Sequence, residues 1–167
     1  VSPMCTYSSE DGMANDWHLV HLGSRAMGGA GLVMMEASAV SSEGRISPWD
    51  MGIWKDDHII PMKKITNFIT KSNSTPAIQL AHAGRKASTN RPWVGGGNID
   101  TVSGGWQPVA PSEIPFSKKS LVPKELTLKE ISKIIDDFVN ASKRAVEAGS
   151  KVIELHFAHG YLVHEFL

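Results

Sequence analysis

The chain is 167 residues long, 41% hydrophobic and 20% charged, which suits one domain with a sizeable core and excludes a disordered or fibrous polypeptide. Seventeen Lys and Arg balance seventeen Asp and Glu, so no overall field draws in nucleic acid or an anionic membrane. No apolar run approaches the roughly 18 to 20 residues of a membrane span, and the single cysteine, Cys5, excludes an intrachain disulfide and fits a reducing, cytoplasmic compartment.

The first residues, "VSPMC", read as the tail of a strand and mark the chain as a fragment. Asn15 or Asp16 then caps a helix with Leu19, Leu22 and Ala26 on one stripe, and Gly28 and Gly29 stop it. The short continuous run "GLVMMEA" predicts a strand buried on both faces. Met62, Ile65, Phe68 and Ile69 recur at helical spacing, with Pro61 placed in the first turn. "PAIQLAH" predicts the next strand.

A long segment from Gly84 to Leu126, with Trp93 and Trp106, is expected to cover the strand ends. Thr127 and Glu130 form a T-x-x-E capping box before Ile131, Ile134, Ile135, Phe138, Ala145 and Val146, and Gly149 ends that helix. "KVIELH" resumes as a strand. Strands alternating with helices imply a parallel sheet with right-handed crossovers, either an open doubly wound sheet or a (β/α)₈ barrel. The glycines of "GGAG" and "VGGG" follow a helix and sit in a loop, so they read as turn residues and not as a dinucleotide fingerprint.

Polar side chains collect at the predicted strand ends: Cys5 and Tyr7, Glu36, Gln79 and His82, then Glu154 and His156. In parallel α/β folds that edge is where ligands bind. Alternation puts Val152, Glu154 and His156 on one face and Ile153 and Leu155 on the other, against helices. His156 and His159 converge where the strand gives way to a turn at Gly160, and two imidazole N–H groups there can stabilise negative charge developing on an oxygen. Tyr161 is the natural proton donor beside them. A zinc site built from His82, His156 and His159 is the competing reading, although no H-x-H, H-E-x-x-H or Cys pair accompanies it. His18, His21 and His58 read as structural, and Met27, Met34, Met35 and Met62 as core.

Five stretches, "SPMCTYS", "EASAV", "GRI", "IQLAHAGRKA" and "IELHFAHGYLVHEFL", together resemble the flavin-dependent Old Yellow Enzymes, in the thermophilic-like branch with a cysteine after the first strand. The resemblance implies an α/β fold, a (β/α)₈ TIM barrel of which residues 1 to 167 cover roughly strands one to four as the N-terminal half of one flavin-binding domain. It implies bound FMN, reduced by NADPH or NADH, that passes hydride to the β-carbon of an activated alkene, an α,β-unsaturated carbonyl or nitro compound. Ser2, Pro3, Met4 and Cys5 would line the flavin, Cys5 tuning its redox behaviour. Ala37 would contact the ring through its backbone, and Gln79 would bond its pyrimidine edge. His156 and His159 would hold the substrate oxygen, Tyr7 and Ile46 would border the pocket, and Tyr161 would deliver a proton. The full-length enzyme is expected to be a homo-oligomer. The half-barrel alone, with an exposed edge, is expected to be inactive, and a non-catalytic associating fragment is the third reading.

Overall fold

In the computed structural model, which describes residues 1–167, helix α1 spans Asp16–Met27 and is capped reciprocally. The Asn15 side chain accepts the Trp17 amide while His18 Nδ1 accepts the Asn15 amide. Strand β1, Leu32–Ala39, leads through helix α2, Ile59–Lys71, to strand β2, Thr75–Ala81. Two short strands in the long connection, β3 (Val109–Ala110) and β4 (Lys124–Glu125), pair in parallel. Helix α3, Leu128–Glu147, starts on the Thr127 and Glu130 capping box and leads to strand β5, Val152–Leu155. The main sheet is parallel, in the order β1, β2, β5.

The strand tail expected at "VSPMC" pairs with β1 through Val1. The Val1 ammonium donates to Leu32 O at 2.7 Å and Val1 O accepts from Met34 N at 3.3 Å, the bond pattern of a parallel ladder. The next residue to pair that way would be Pro3, which has no N–H, so the ladder stops.

One face of the sheet is covered by α1 and α2. Val33, Met35, Ile78 and Leu80 are fully buried with Met62, Ile65 and Ile69 of α2 and with Leu22 and Ala26 of α1. α3 joins this core through Ala141, Ala145 and Ala148, small residues that let the helix approach closely, and Thr66 Oγ1 donates to Ala148 O across the gap. Met27 does not join the core. It is exposed because it lies one residue, about 100° of helical turn, beyond the Ala26 stripe, and Met34 is only half-buried.

β5 behaves as predicted in direction, with Ile153 packed on the main core, but it is paired on one edge only, and Val152 and Leu155 stay exposed. Leu155, Phe157, Phe166, Leu162, Ile131 and Ile135 are among the residues lining a wholly apolar groove of about 380 Å³ between α3 and the C-terminal turn. No helix is long and apolar enough to cross a membrane.

Ile65→Ala, at a fully buried position, is expected to destabilise the fold by about 2–5 kcal/mol, whereas Ile60→Ala on the exposed face of α2 should change it by less than about 0.5 kcal/mol. Urea unfolding midpoints measure both.

Candidate active site

The N-terminal segment is fastened over the sheet by a buried carboxylate. Glu36 accepts the Thr6 amide at 3.0 Å on one oxygen and the Thr6 hydroxyl at 2.8 Å on the other, and Ser9 N adds a bond to Trp49 O at 2.9 Å. Cys5 and Tyr7 flank that anchor. Glu36 belongs to an irregularity that periodicity does not reveal. Met35 pairs with Ile78 and Ser38 with Leu80, so Glu36 and Ala37 together face the single residue Gln79. Such a bulge interrupts the ladder and re-aims the residues within it, and the Ala37 backbone is left in hydrogen-bonding reach of the Cys5 sulfur.

Across β2, Gln79 Nε2 donates to Glu154 Oε1 at 2.6 Å, which uses one donor of the amide and leaves its carbonyl as an acceptor. His156 continues the ladder through a bond from its N–H to Leu80 O at 2.9 Å, which sets its buried ring at the sheet end. The chain then turns sharply, with His159 at φ 59° and Gly160 at φ 69°, both left-handed. Lys86 Nζ donates to His159 O at 2.9 Å and His164 Nδ1 accepts the Gly160 amide at 2.9 Å, so the turn is held from both sides. The result is a cluster. The His156 ring centroid lies 5.0 Å from that of His159 and 5.1 Å from that of Tyr161.

The protonation of these groups follows from burial. Loss of water pushes the His156 imidazole below its ordinary value, helped by neighbouring His159, so it is neutral at neutral pH. Burial raises Tyr161 to about 12, and Cys5 and Asp50 reinforce the shift. Burial also pushes the Cys5 thiol and the Tyr7 phenol far up, with Asp50 and Glu36 adding repulsion to both. Cys5 is a neutral thiol, not a thiolate.

Ala37, Ile46 and Tyr161 line one small cavity floored by Ala39 and Ala81, so three residues singled out from separate stretches meet there. The long connection reaches the same place, with Trp93 edge-on to Tyr7 at 5.7 Å and the Lys86 ammonium 4.9 Å over the Tyr161 ring. Ser2 and Met4 are exposed. His82 does not join His156 and His159. Its ring is buried, its Nδ1 accepts the Gly84 amide at 3.1 Å, and no three His, Cys, Asp or Glu side chains converge as a metal site. Sequence reading missed Asp50, which also lines the cavity; "SPWD" carries no motif that marks it.

Comparison with known proteins agrees across the whole chain. A family model described as NADH:flavin oxidoreductase / NADH oxidase matches residues 1–167. An NADH:flavin oxidoreductase of Gibberella zeae is 48% identical over 174 residues, which covers all of this chain and 41% of that protein. An NADPH dehydrogenase of Bacillus cytotoxicus is 50% identical over 169 residues, with 44% of its length covered. Among solved structures, morphinone reductase superposes with a TM-score of 0.84 at 26% identity, covering 100% of this chain and 46% of that one, and is also known in complex with tetrahydroNAD. The Old Yellow Enzyme homologue from Zymomonas mobilis gives 0.80 at 29% identity, over 98% of this chain and 45% of that one. The chain thus spans less than half the length of these relatives.

In an NMR pH titration the His156 ring is expected to protonate below the ordinary histidine value of 6.5. A midpoint above 6.5 would contradict the neutral imidazole.

Proposed function

The chain belongs to the NADH:flavin oxidoreductase / NADH oxidase family, and from that membership we propose that residues 1 to 167 form the N-terminal half of a flavin-binding (β/α)₈ barrel that reduces activated alkenes. The observation that carries the reading is the meeting of His156, His159 and Tyr161 beside a cavity floored by alanines at the sheet end.

The residues present fit FMN. Ala37, Ala39 and Ala81 carry nothing beyond Cβ and so leave room for a planar ring to lie against them, and the bulge takes the Ala37 backbone out of the regular ladder. Gln79, pinned by Glu154, offers its carbonyl to a ring N–H. Pro3 and Cys5, with the exposed Ser2 and Met4, would border the ring from the N-terminal segment. When bound, FMN supplies the hydride chemistry, taking hydride from NADPH or NADH and giving it to the substrate β-carbon.

The chain's own residues orient the substrate and handle its charge and proton. His156 and His159 donate N–H bonds to the carbonyl or nitro oxygen. Those bonds strengthen as negative charge builds there, so they act on the transition state more than on binding. A neutral imidazole suits this role, because it donates without surrendering a proton. Tyr161, held protonated, delivers a proton to the carbon next to the activating group, while Tyr7 and Ile46 border the pocket. Cys5, a neutral thiol, would lie beside the ring and tune its potential. Residence in the cytoplasm and self-association of the full-length protein belong to the same reading, and the lone neutral thiol fits the former. The 167-residue polypeptide by itself is read as inactive, since its apolar groove and the free edge of β5 stand open.

The full-length protein is expected to show a flavin absorption band that bleaches with NADPH under nitrogen and returns with an enone. Tyr161→Phe should slow the return about 10²- to 10⁴-fold and leave the bleaching unchanged. A colourless protein that takes up no FMN would refute the reading.

A further inference from the structure

Asp50 is the one buried acid of the cavity that nothing neutralises. Its side chain is 2% exposed. Oδ2 accepts the Ile46 amide at 2.6 Å, and Oδ1 is buried without any partner. Arg45, in the same turn, is turned elsewhere: Nε donates to Ser42 O at 2.7 Å, Nη1 donates to Pro48 O at 3.2 Å, and the guanidinium sits between the Trp54 and Trp106 rings at 5.2 and 4.9 Å. Asp50 forms no ion pair, yet it lines the cavity together with Ala37, Ile46 and Tyr161.

We propose that Asp50 is a positioning residue of this site, whose carboxyl clamps Ile46 through its backbone N–H and sets a negative charge in the cavity that Tyr161 also lines. The proposal rests on the reading of the site given above. Ile46 is a wall of the substrate pocket in that reading, and its carbonyl is held in turn by the Thr89 amide at 2.8 Å and the Thr89 hydroxyl at 3.0 Å. The Asp50 bond to the Ile46 N–H completes that clamp.

The charges around Asp50 come from every side of the cavity. Glu36 faces it from β1 and disfavours its ionisation, while Arg45 favours it. Cys5 and Tyr7 face it from the N-terminal segment and Tyr161 from the turn after β5, and each of these is harder to ionise because Asp50 is there. From β2 and the residues after it come the uncharged Ala81 and Ala83, while the Lys86 ammonium, 4.9 Å over the Tyr161 ring, brings an opposing charge to Tyr161. Burial raises Asp50 to about 7, against the bond from the Ile46 N–H. Asp50 is therefore neutral below that pH and anionic above it. The anionic form repels a second negative charge on Tyr161 or Cys5, adding to the burial that already holds both protons.

The test uses full-length holoenzyme and Asp50→Asn, which keeps an oxygen for the Ile46 N–H and removes the charge. In the wild type the flavin reoxidation rate with an enone should show an inflection near pH 7. In Asp50→Asn the inflection should vanish and the alkaline limb should move to lower pH, because Tyr161 has lost the repulsion that held its proton. Alkylation of Cys5 by iodoacetamide, taken as the difference from Cys5→Ala, should become several-fold faster at mildly alkaline pH. An Asp50→Asn protein with an unchanged pH profile and unchanged Cys5 alkylation would overturn the proposal and leave the functional reading intact. A wild-type protein that reduces no enone would defeat that reading, and the Cys5 alkylation comparison would still decide the electrostatic role of Asp50. Should the variant fail to fold, carboxyl carbon NMR of wild-type aspartates decides: one carboxyl titrating near pH 7 supports the proposal, and Asp50 titrating in the ordinary aspartate range overturns it.

Discussion

Everything at the site hangs on β2, the central strand of the β1, β2, β5 sheet. Its register with β5 sets Gln79 against Glu154 and carries the ladder forward to His156. Its register with β1 slips by one residue beside Gln79, and that slip brings Glu36 and Ala37 to face a single partner. A strand period of two leaves no intermediate settings, so moving either register by one residue would turn the functional side chains to the opposite face. The apolar residues Ile78 and Leu80, buried against the helices, lock the setting, and the polar end inherits it.

The site also shows how two buried acids are given different characters. Glu36 receives two hydrogen bonds from Thr6, which counter part of its burial, and it serves as an anchor for the segment that carries Cys5 and Tyr7. Asp50 has one oxygen satisfied and the other bare, and burial dominates. Depth and the number of N–H and O–H donors aimed at each carboxyl together separate the anchor from the group poised near neutrality.

Legibility in the sequence tracked the range of the interactions involved. α3 could be read from four residues, because Thr127 and Glu130 satisfy each other within one turn, and the Asn15 cap was equally local. β1, β2 and β5 announced themselves as apolar runs, and the gathering of His156, His159 and Tyr161 followed from their closeness in the chain. The β1 bulge did not show, since it exists only relative to β2, forty residues away in sequence. β3 and β4 are two residues each, too short to have a period. The strand tail at "VSPMC" was legible too, and it stops pairing after Val1 because Pro3 has no N–H to continue the ladder. Asp50 was invisible for another reason: an aspartate in a turn ordinarily faces water, and only the tertiary fold closes over this one.

The backbone at His159 carries a consequence of its own. A residue with φ of 59° followed by a glycine at 69° forms a paired left-handed turn, and Lys86 and His164 grip it from two directions. Asparagine, aspartate and glycine adopt that conformation readily, whereas branched side chains resist it. Variation at this position is thus filtered first by geometry and only afterwards by chemistry. A replacement here has to satisfy the turn before it can offer a side chain to the site, so asparagine, which adopts this conformation and still carries an N–H donor, is the substitution both demands allow.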